Sequence, residues 1–291
     1  MKLKTIKTVI NHPLNEGRKL KALINLFLRA IVIRLHKYPI IYPFVNDTFL
    51  VVEKGMSSAE LQIYCNLYDY DEMLLMIHFL RENDNFVDVG ANIGVYSILA
   101  SGVGKANSFS FEPLPSTFNR LKRNINYNYL SDKVTLFNNG VGDKKEQLFF
   151  TNNLDAINHV VSNSEGNTLR VEVDTLDAFL GGKSAHFLKV DVEGFEEFVL
   201  RGAANTLKNP DLCIILIETN GLTSQYNSSD EGIHEKLTQS GFLTYTYHPQ
   251  KRELIKTESL NATNTIYCRN IDFIKSRIKN GQKITILDKE Y

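Results

Sequence analysis

The sequence predicts an α/β fold: a seven-stranded, mostly parallel sheet with an antiparallel closing strand and helices on both faces. Three observations predict it. From about Asn85 onward, short apolar runs alternate with stretches of helical periodicity, the pattern of strand–helix–strand units. Leu212–Ile217 is apolar without interruption, as a central strand covered on both faces requires. The first strand passes straight into a glycine-bearing turn, Asp88-Val89-Gly90-Ala91-Asn92-Ile93-Gly94, that opens a helix.

The elements follow in order. Phe86–Val89 is the first strand, and the helix after its turn runs through Ala100. Ser108–Phe111 is the second, ending in Glu112-Pro113, and Phe118, Leu121 and Ile125 space a helix behind it. Val134–Phe137 starts a third strand, expected to run into Gly140–Asp143. Between Lys144 and Val173 the pattern weakens into strand and loop, with turn markers at Asn152, Asn153, Asn163, Gly166 and Asn167. Thr175–Leu180 is a short helix, Phe187–Val190 a strand ending at Asp191, and Phe195–Leu207 a helix stopped before Pro210. Leu212–Ile217 ends in Glu218, Gly232–Ser240 is helical, and Phe242–Tyr247 pairs with Thr265–Cys268 as the antiparallel closure. The chain thus divides into a basic helical extension (1–70), the α/β domain (71–270) and a C-terminal tail (271–291).

Composition excludes several classes. Lys plus Arg and Asp plus Glu both number 33, so no global charge attracts nucleic acid. Cys65, Cys213 and Cys268 are far apart and form no C-x-x-C pair, which speaks against a zinc knuckle or a disulfide framework. The first forty residues stand apart: Lys2, Lys4, Lys7, Arg18, Lys19, Lys21, Arg29, Arg34 and Lys37 face only Glu16. There Leu20, Leu23, Ile24, Phe27, Ile31 and Leu35 recur at helical spacing. Two readings compete: peripheral contact with an anionic membrane, or a helix packed on the domain with its charges in water. The second is the expected one. Asn25, Arg29 and Arg34 interrupt the stretch too soon for a transmembrane span, and no signal-peptide pattern precedes it, so the chain reads as cytoplasmic.

Ligands of open parallel sheets bind at the carboxyl ends of the strands, where the strand order switches. Gly90 and Gly94 let the first turn bend sharply beside such a ligand. Glu112, 22 residues beyond Gly90, can accept hydrogen bonds from both hydroxyls of a ribose. Gly142-Asp143 follows the third strand, where a polar group could read an adenine edge. Together these point to a nucleoside. A dinucleotide turn needs G-x-G-x-x-G, but Asn92 and Val95 stand where the second and third glycines belong, which disfavours an NAD-dependent oxidoreductase. No G-K-[ST] follows Gly90, so a P-loop is excluded.

Asp88–Ser97 (DVGANIGVYS), Phe111-Glu112-Pro113, Val141-Gly142-Asp143 and above all Leu188–Ala203 (LKVDVEGFEEFVLRGA) resemble the FkbM family of methyltransferases, over about Asp71 to Cys268. The resemblance implies a Rossmann-like methyltransferase fold, S-adenosylmethionine as donor, and O-methylation of a sugar, glycan or secondary metabolite. By position it implies that Gly90, Asn92 and Gly94 line the methionine part, that Glu112 holds the ribose, and that Asp143 lies by the adenine. Asp191 would then stand near the transferred methyl, while Asp88 fixes the turn or reaches the donor's amino group through water.

Methyl transfer from a sulfonium needs alignment and removal of the acceptor's proton. Asp191 is the first choice of general base, with Glu193 beside it in the turn opened by Gly194. Alternatively Asp191, Glu193 and Glu218 bind a divalent cation that acidifies the alcohol, or Glu193 merely caps the following helix. His159 and His186 are reserve bases. No N-P-P-Y-type sequence marks the strand end and no basic stripe crosses the domain, so nucleic-acid methylation is disfavoured. A non-catalytic, membrane-associated binding module is the remaining alternative.

Overall fold

The computed structural model describes residues 3–35, 38–53, 56–152, 158–161, 166–261 and 263–291. Of the residues read above as basic extension or as substrate loop, Lys2, Lys37, 153–157 and 162–165 lie outside the described residues. Two helices, α1 (Leu3–Asn11) and α2 (Lys19–Leu35), precede a hairpin of β1 (Ile40–Pro43) and β2 (Phe49–Val52), then α3 (Ser57–Cys65) and α4 (Tyr70–Phe79). The main sheet starts with β3 (Asn85–Val89), α5 (Val95–Ile98), β4 (Asn107–Phe111), α6 (Pro115–Tyr127) and β5 (Val134–Phe137). A second sheet follows from β6 (Gly140–Gly142), β7 (Glu146–Thr151), β8 (Val160–Val161) and β9 (Thr168–Thr175). The chain returns through α7 (Leu176–Leu180), β10 (Phe187–Val190), α8 (Glu196–Arg201), α9 (Ala204–Lys208) and β11 (Ile214–Glu218). It ends with α10 (Asp230–Gln239), β12 (Leu243–His248), β13 (Glu253–Lys256), β14 (Asn264–Cys268), α11 (Ile271–Lys279) and a hairpin of β15 (Thr285–Ile286) and β16 (Lys289–Glu290).

The main sheet has eight strands, in the order β13-β12-β14-β11-β10-β3-β4-β5. β14 runs antiparallel to both β11 and β12, and five adjacent strands from β11 to β5 are parallel. The eighth strand is β13, an edge strand whose residues other than Leu254 are exposed, which is why hydrophobic patterning misses it. Helices cover both faces. In β11, Ile214 and Leu216 enter one core, with Phe86 and Phe187, while Ile215 and Ile217 enter the other, with Val87, Leu188 and Val190. That two-sided burial explains the unbroken apolar run. The first core also takes Leu50, Met56 and Ile63 from the extension and Ile274, Ile278 and Ile286 from the last twenty residues.

Two elements differ from expectation. The third strand stops at Phe137 rather than running into Gly140–Asp143: Asn138 turns to donate its side-chain amide to the Glu112 and Pro113 carbonyls, and Gly140–Gly142 pairs with β9 instead. The helix expected over Phe195–Leu207 is broken at Gly202, where an added Cβ would stand 1.9 Å from the Gly142 carbonyl oxygen. Since β10 neighbours β3 while the chain runs outward from β3 to β5, the strand order switches between β3 and β10. Their carboxyl ends, Val89 and Val190, open the site.

Candidate active site

A cavity of about 720 Å³ lies at this edge, lined among others by Gly90, Asn92, Glu112, Asp191, Glu193 and Glu218. The glycine turn is tied down from within. The Gly90 and Ala91 amides both donate to the Phe111 carbonyl, at 3.1 and 2.9 Å, and the Gly94 amide donates to Ala91 at 2.8 Å. The Asn92 amide donates to Glu112 Oε2 at 3.1 Å, and the Leu114 amide to Oε1 at 3.0 Å. Glu112 is only 6% exposed, and burial pushes its pKa up to about 8 against these two donors. Each of its oxygens holds one amide and keeps acceptor capacity for a ligand hydroxyl.

Gly90 has φ +82°, and an added Cβ would stand 1.8 Å from the Asp191 carbonyl oxygen. The glycine is therefore required first by the neighbouring strand. Gly94, at φ +88°, is not in the cavity wall; its missing Cβ makes room for Leu121 of α6. Gly142 and Asp143 are not in the wall either, because Gly142 is packed on Val173, Phe195 and the Gly202 break. Asp88 does reach the wall. Its Oδ2 accepts from the Ser97 hydroxyl at 2.6 Å, while Oδ1 is buried without a hydrogen-bond donor.

The acidic half centres on a residue that sequence reasoning missed. Lys189, 4% exposed, donates to Asp191 Oδ2 at 2.9 Å, lies 3.9 Å from Asp88 Oδ1, and sits 5.1 Å from the Tyr96 ring centroid. Burial opposes its charge, but Asp191 and Asp88 outweigh burial and raise its pKa. The signal was present: a lysine in an apolar strand, two residues before Asp191 and so on the same face. Asp191, Glu193 and Glu218 each bring one oxygen within 4.8 Å of the others. Burial, then the Asp191 charge, pushes Glu193 up to about 7 and raises Glu218 well above the carboxylate range. Glu193 does not cap α8. Glu196 holds that turn, its Oε1 accepting from the Val192 and Gly194 amides at 3.0 and 3.1 Å.

Facing this cluster are Asp69 and Glu72, three residues apart at the start of α4. Tyr96 donates its hydroxyl to Asp69 Oδ2 at 3.0 Å; burial pushes Asp69 up to about 6 and Glu72 up to about 7. His12 and Pro13 of the extension, Phe150 of β7 and Asn158 ahead of β8 also line the wall. His159 exchanges main-chain and side-chain hydrogen bonds with Thr151 and is not in the wall. His186 lies at the amino end of β10, accepting from the Asn85 amide at 3.0 Å beside Asp84, so it is remote from the site.

A family model for the methyltransferase FkbM domain matches residues 88–244, over half of the chain and spanning the glycine turn, Glu112, Lys189 and the acidic cluster. The chain belongs to the FkbM methyltransferase family. Among its relatives, the hexuronic acid methyltransferase AglP of Haloferax volcanii is 33% identical over 156 residues, 51% of this chain and 62% of the relative. Methyltransferase 1 of Beauveria bassiana is 31% identical over 147 residues, 41% of this chain and 59% of the relative. The chain thus matches about six-tenths of the length of these curated relatives. Of solved structures, a methyltransferase FkbM from Methylobacillus flagellatus is 15% identical, with a TM-score of 0.46 over 73% of this chain and 55% of that one.

Proposed function

We propose that this chain transfers a methyl group from S-adenosylmethionine to a hydroxyl of a sugar or glycan unit. One observation carries the donor: the main-chain amides of Gly90, Ala91, Asn92 and Gly94 are all spent inside the protein, and the cavity is ringed by carboxylates. A diphosphate needs outward-pointing amides, and this turn has spent these four internally. A sulfonium and an ammonium suit this wall. The acceptor class rests on the hexuronic acid methyltransferase relative.

When bound, S-adenosylmethionine supplies a methyl group already activated by its positive sulfur. Glu112 is assigned to accept the ribose hydroxyls. Asp88 Oδ1, buried and lacking a donor, is assigned to the donor's amino group, directly or through water. Lys189 donates to Asp191 Oδ2 at 2.9 Å, so that oxygen is already occupied. Glu193, near 7 and free of such a pairing, is the better base: its carboxylate takes the acceptor's hydroxyl proton as oxygen attacks. With Lys189 already supplying positive charge beside Asp191, we assign no divalent cation to the three acids. Calorimetry of the purified protein tests this reading. S-adenosylhomocysteine is expected to bind and NADH not to; binding of NADH alone would overturn it in favour of the oxidoreductase.

A further inference from the structure

We propose that α2 docks the protein on the surface of an anionic lipid bilayer. Leu20, Ile24, Phe27, Leu28, Ile31 and Leu35 recur at helical spacing on one face, and the fold leaves that face bare. Leu20 is 74% exposed, Phe27 54% and Leu35 78%. The helix packs on its neighbours with Lys19 and Lys21 in water, but not through this stripe. The helix is anchored instead by Ala22 and Leu26, packed with Val9 and Cys65, and by Arg29, whose guanidinium donates to the Ile63 carbonyl and lies 5.4 Å from the Tyr42 ring centroid. An ordinary surface helix turns its apolar side inward. This one does the reverse.

Charge says what covers the stripe. Lys19 and Lys21 are exposed on either side of Leu20, and Lys7 is exposed on the neighbouring α1. In the first forty residues nine lysines and arginines face one acid, Glu16, and every other Asp and Glu of the chain comes later. Exposed Lys7, Lys19 and Lys21 at the amino end of an apolar face match anionic headgroups over acyl chains, whereas a second copy would bring like charges together. Among the described residues no helix is long and apolar enough to cross a membrane, so α2 would lie in the interface plane. The same extension lends His12 and Pro13 to the cavity wall, so lipid docking and access to the cavity share one structural unit.

Co-sedimentation of the full chain with vesicles of phosphatidylcholine and phosphatidylglycerol, against phosphatidylcholine alone, tests this. Binding is expected to the anionic vesicles and to weaken with salt. Phe27→Asn with Ile31→Asn should weaken it by at least about tenfold, and Lys19→Glu with Lys21→Glu by roughly tenfold or more. These side chains are exposed, so far-UV circular dichroism and S-adenosylhomocysteine binding should be unchanged. Absence of wild-type binding, equal binding to both vesicles, unchanged binding by the Phe27/Ile31 variant, or self-association through the stripe without vesicle binding would each overturn the proposal.

Discussion

The two walls of the cavity are built differently. On the sheet side, the glycine turn, Glu112 and Asp191 are fixed by main-chain hydrogen bonds between adjacent strands: Phe111 holds Gly90 and Ala91, and the Asp191 amide donates to Val89 at 3.0 Å. On the other side, Asp69, Glu72, His12, Phe150 and Asn158 come from three separate parts of the chain and meet only through tertiary packing. A wall made by strand register holds one geometry with little freedom. A wall assembled from separate segments of the chain can vary in shape without disturbing the first. Under the proposed function, donor binding falls to the rigid wall and acceptor choice to the variable one.

Three substitutions, with Asp69→Asn as a comparison for the last, can break or sharpen that contrast. The largest effect is expected from Lys189→Met, which removes the cation beside the fully buried Asp88 and the partner of the 36%-exposed Asp191, and should cost about 3 kcal/mol of stability, the low end for a buried pair. Chemical denaturation measures it; a loss under 1 kcal/mol would mean that the lysine is not the keystone of the rigid wall. Next, Glu193→Gln should lower kcat by roughly 10²–10⁴-fold while leaving S-adenosylhomocysteine affinity intact. Because burial raises Glu193 to about 7, the wild-type rate should rise as pH increases through that value, where the acid becomes carboxylate, and the variant should lack this limb. A wild-type profile flat between pH 6 and pH 8 (about one unit on either side of that value) would return the role of base to another group. Smallest of the three, Glu112→Gln should weaken S-adenosylhomocysteine by roughly 3–10-fold, the worth of an uncharged hydrogen bond. Equal weakening by Asp69→Asn would show that the donor spans both walls.

Legibility in the sequence follows the same line. The rigid wall is local: Asp88, Gly90, Asn92 and Glu112 lie within 25 consecutive residues, and strand periodicity places them. Asp191 and Glu193 arrive by the same rule at the next strand end. What escaped reading is non-local or edge-like. Asp69 and Glu72 sit in what reads as an ordinary helix start, and only the packing of α4 over the sheet turns them inward. Gly142 looked like a ligand turn because glycines at strand ends serve both ligands and neighbours; here the neighbour is the Gly202 carbonyl-facing break. The stripe of α2 carried the right spacing, but spacing alone does not say which face the protein covers.

The Phe111 carbonyl, shared by two consecutive amides of the glycine turn, has a consequence for engineering. Since that one oxygen positions the turn whose Asn92 amide in turn steadies Glu112, libraries aimed at a new acceptor should leave residues 88–114 untouched. Under the proposed function, diversity is better spent on the positions around His12, Phe150 and Asn158, which line the cavity without touching that turn.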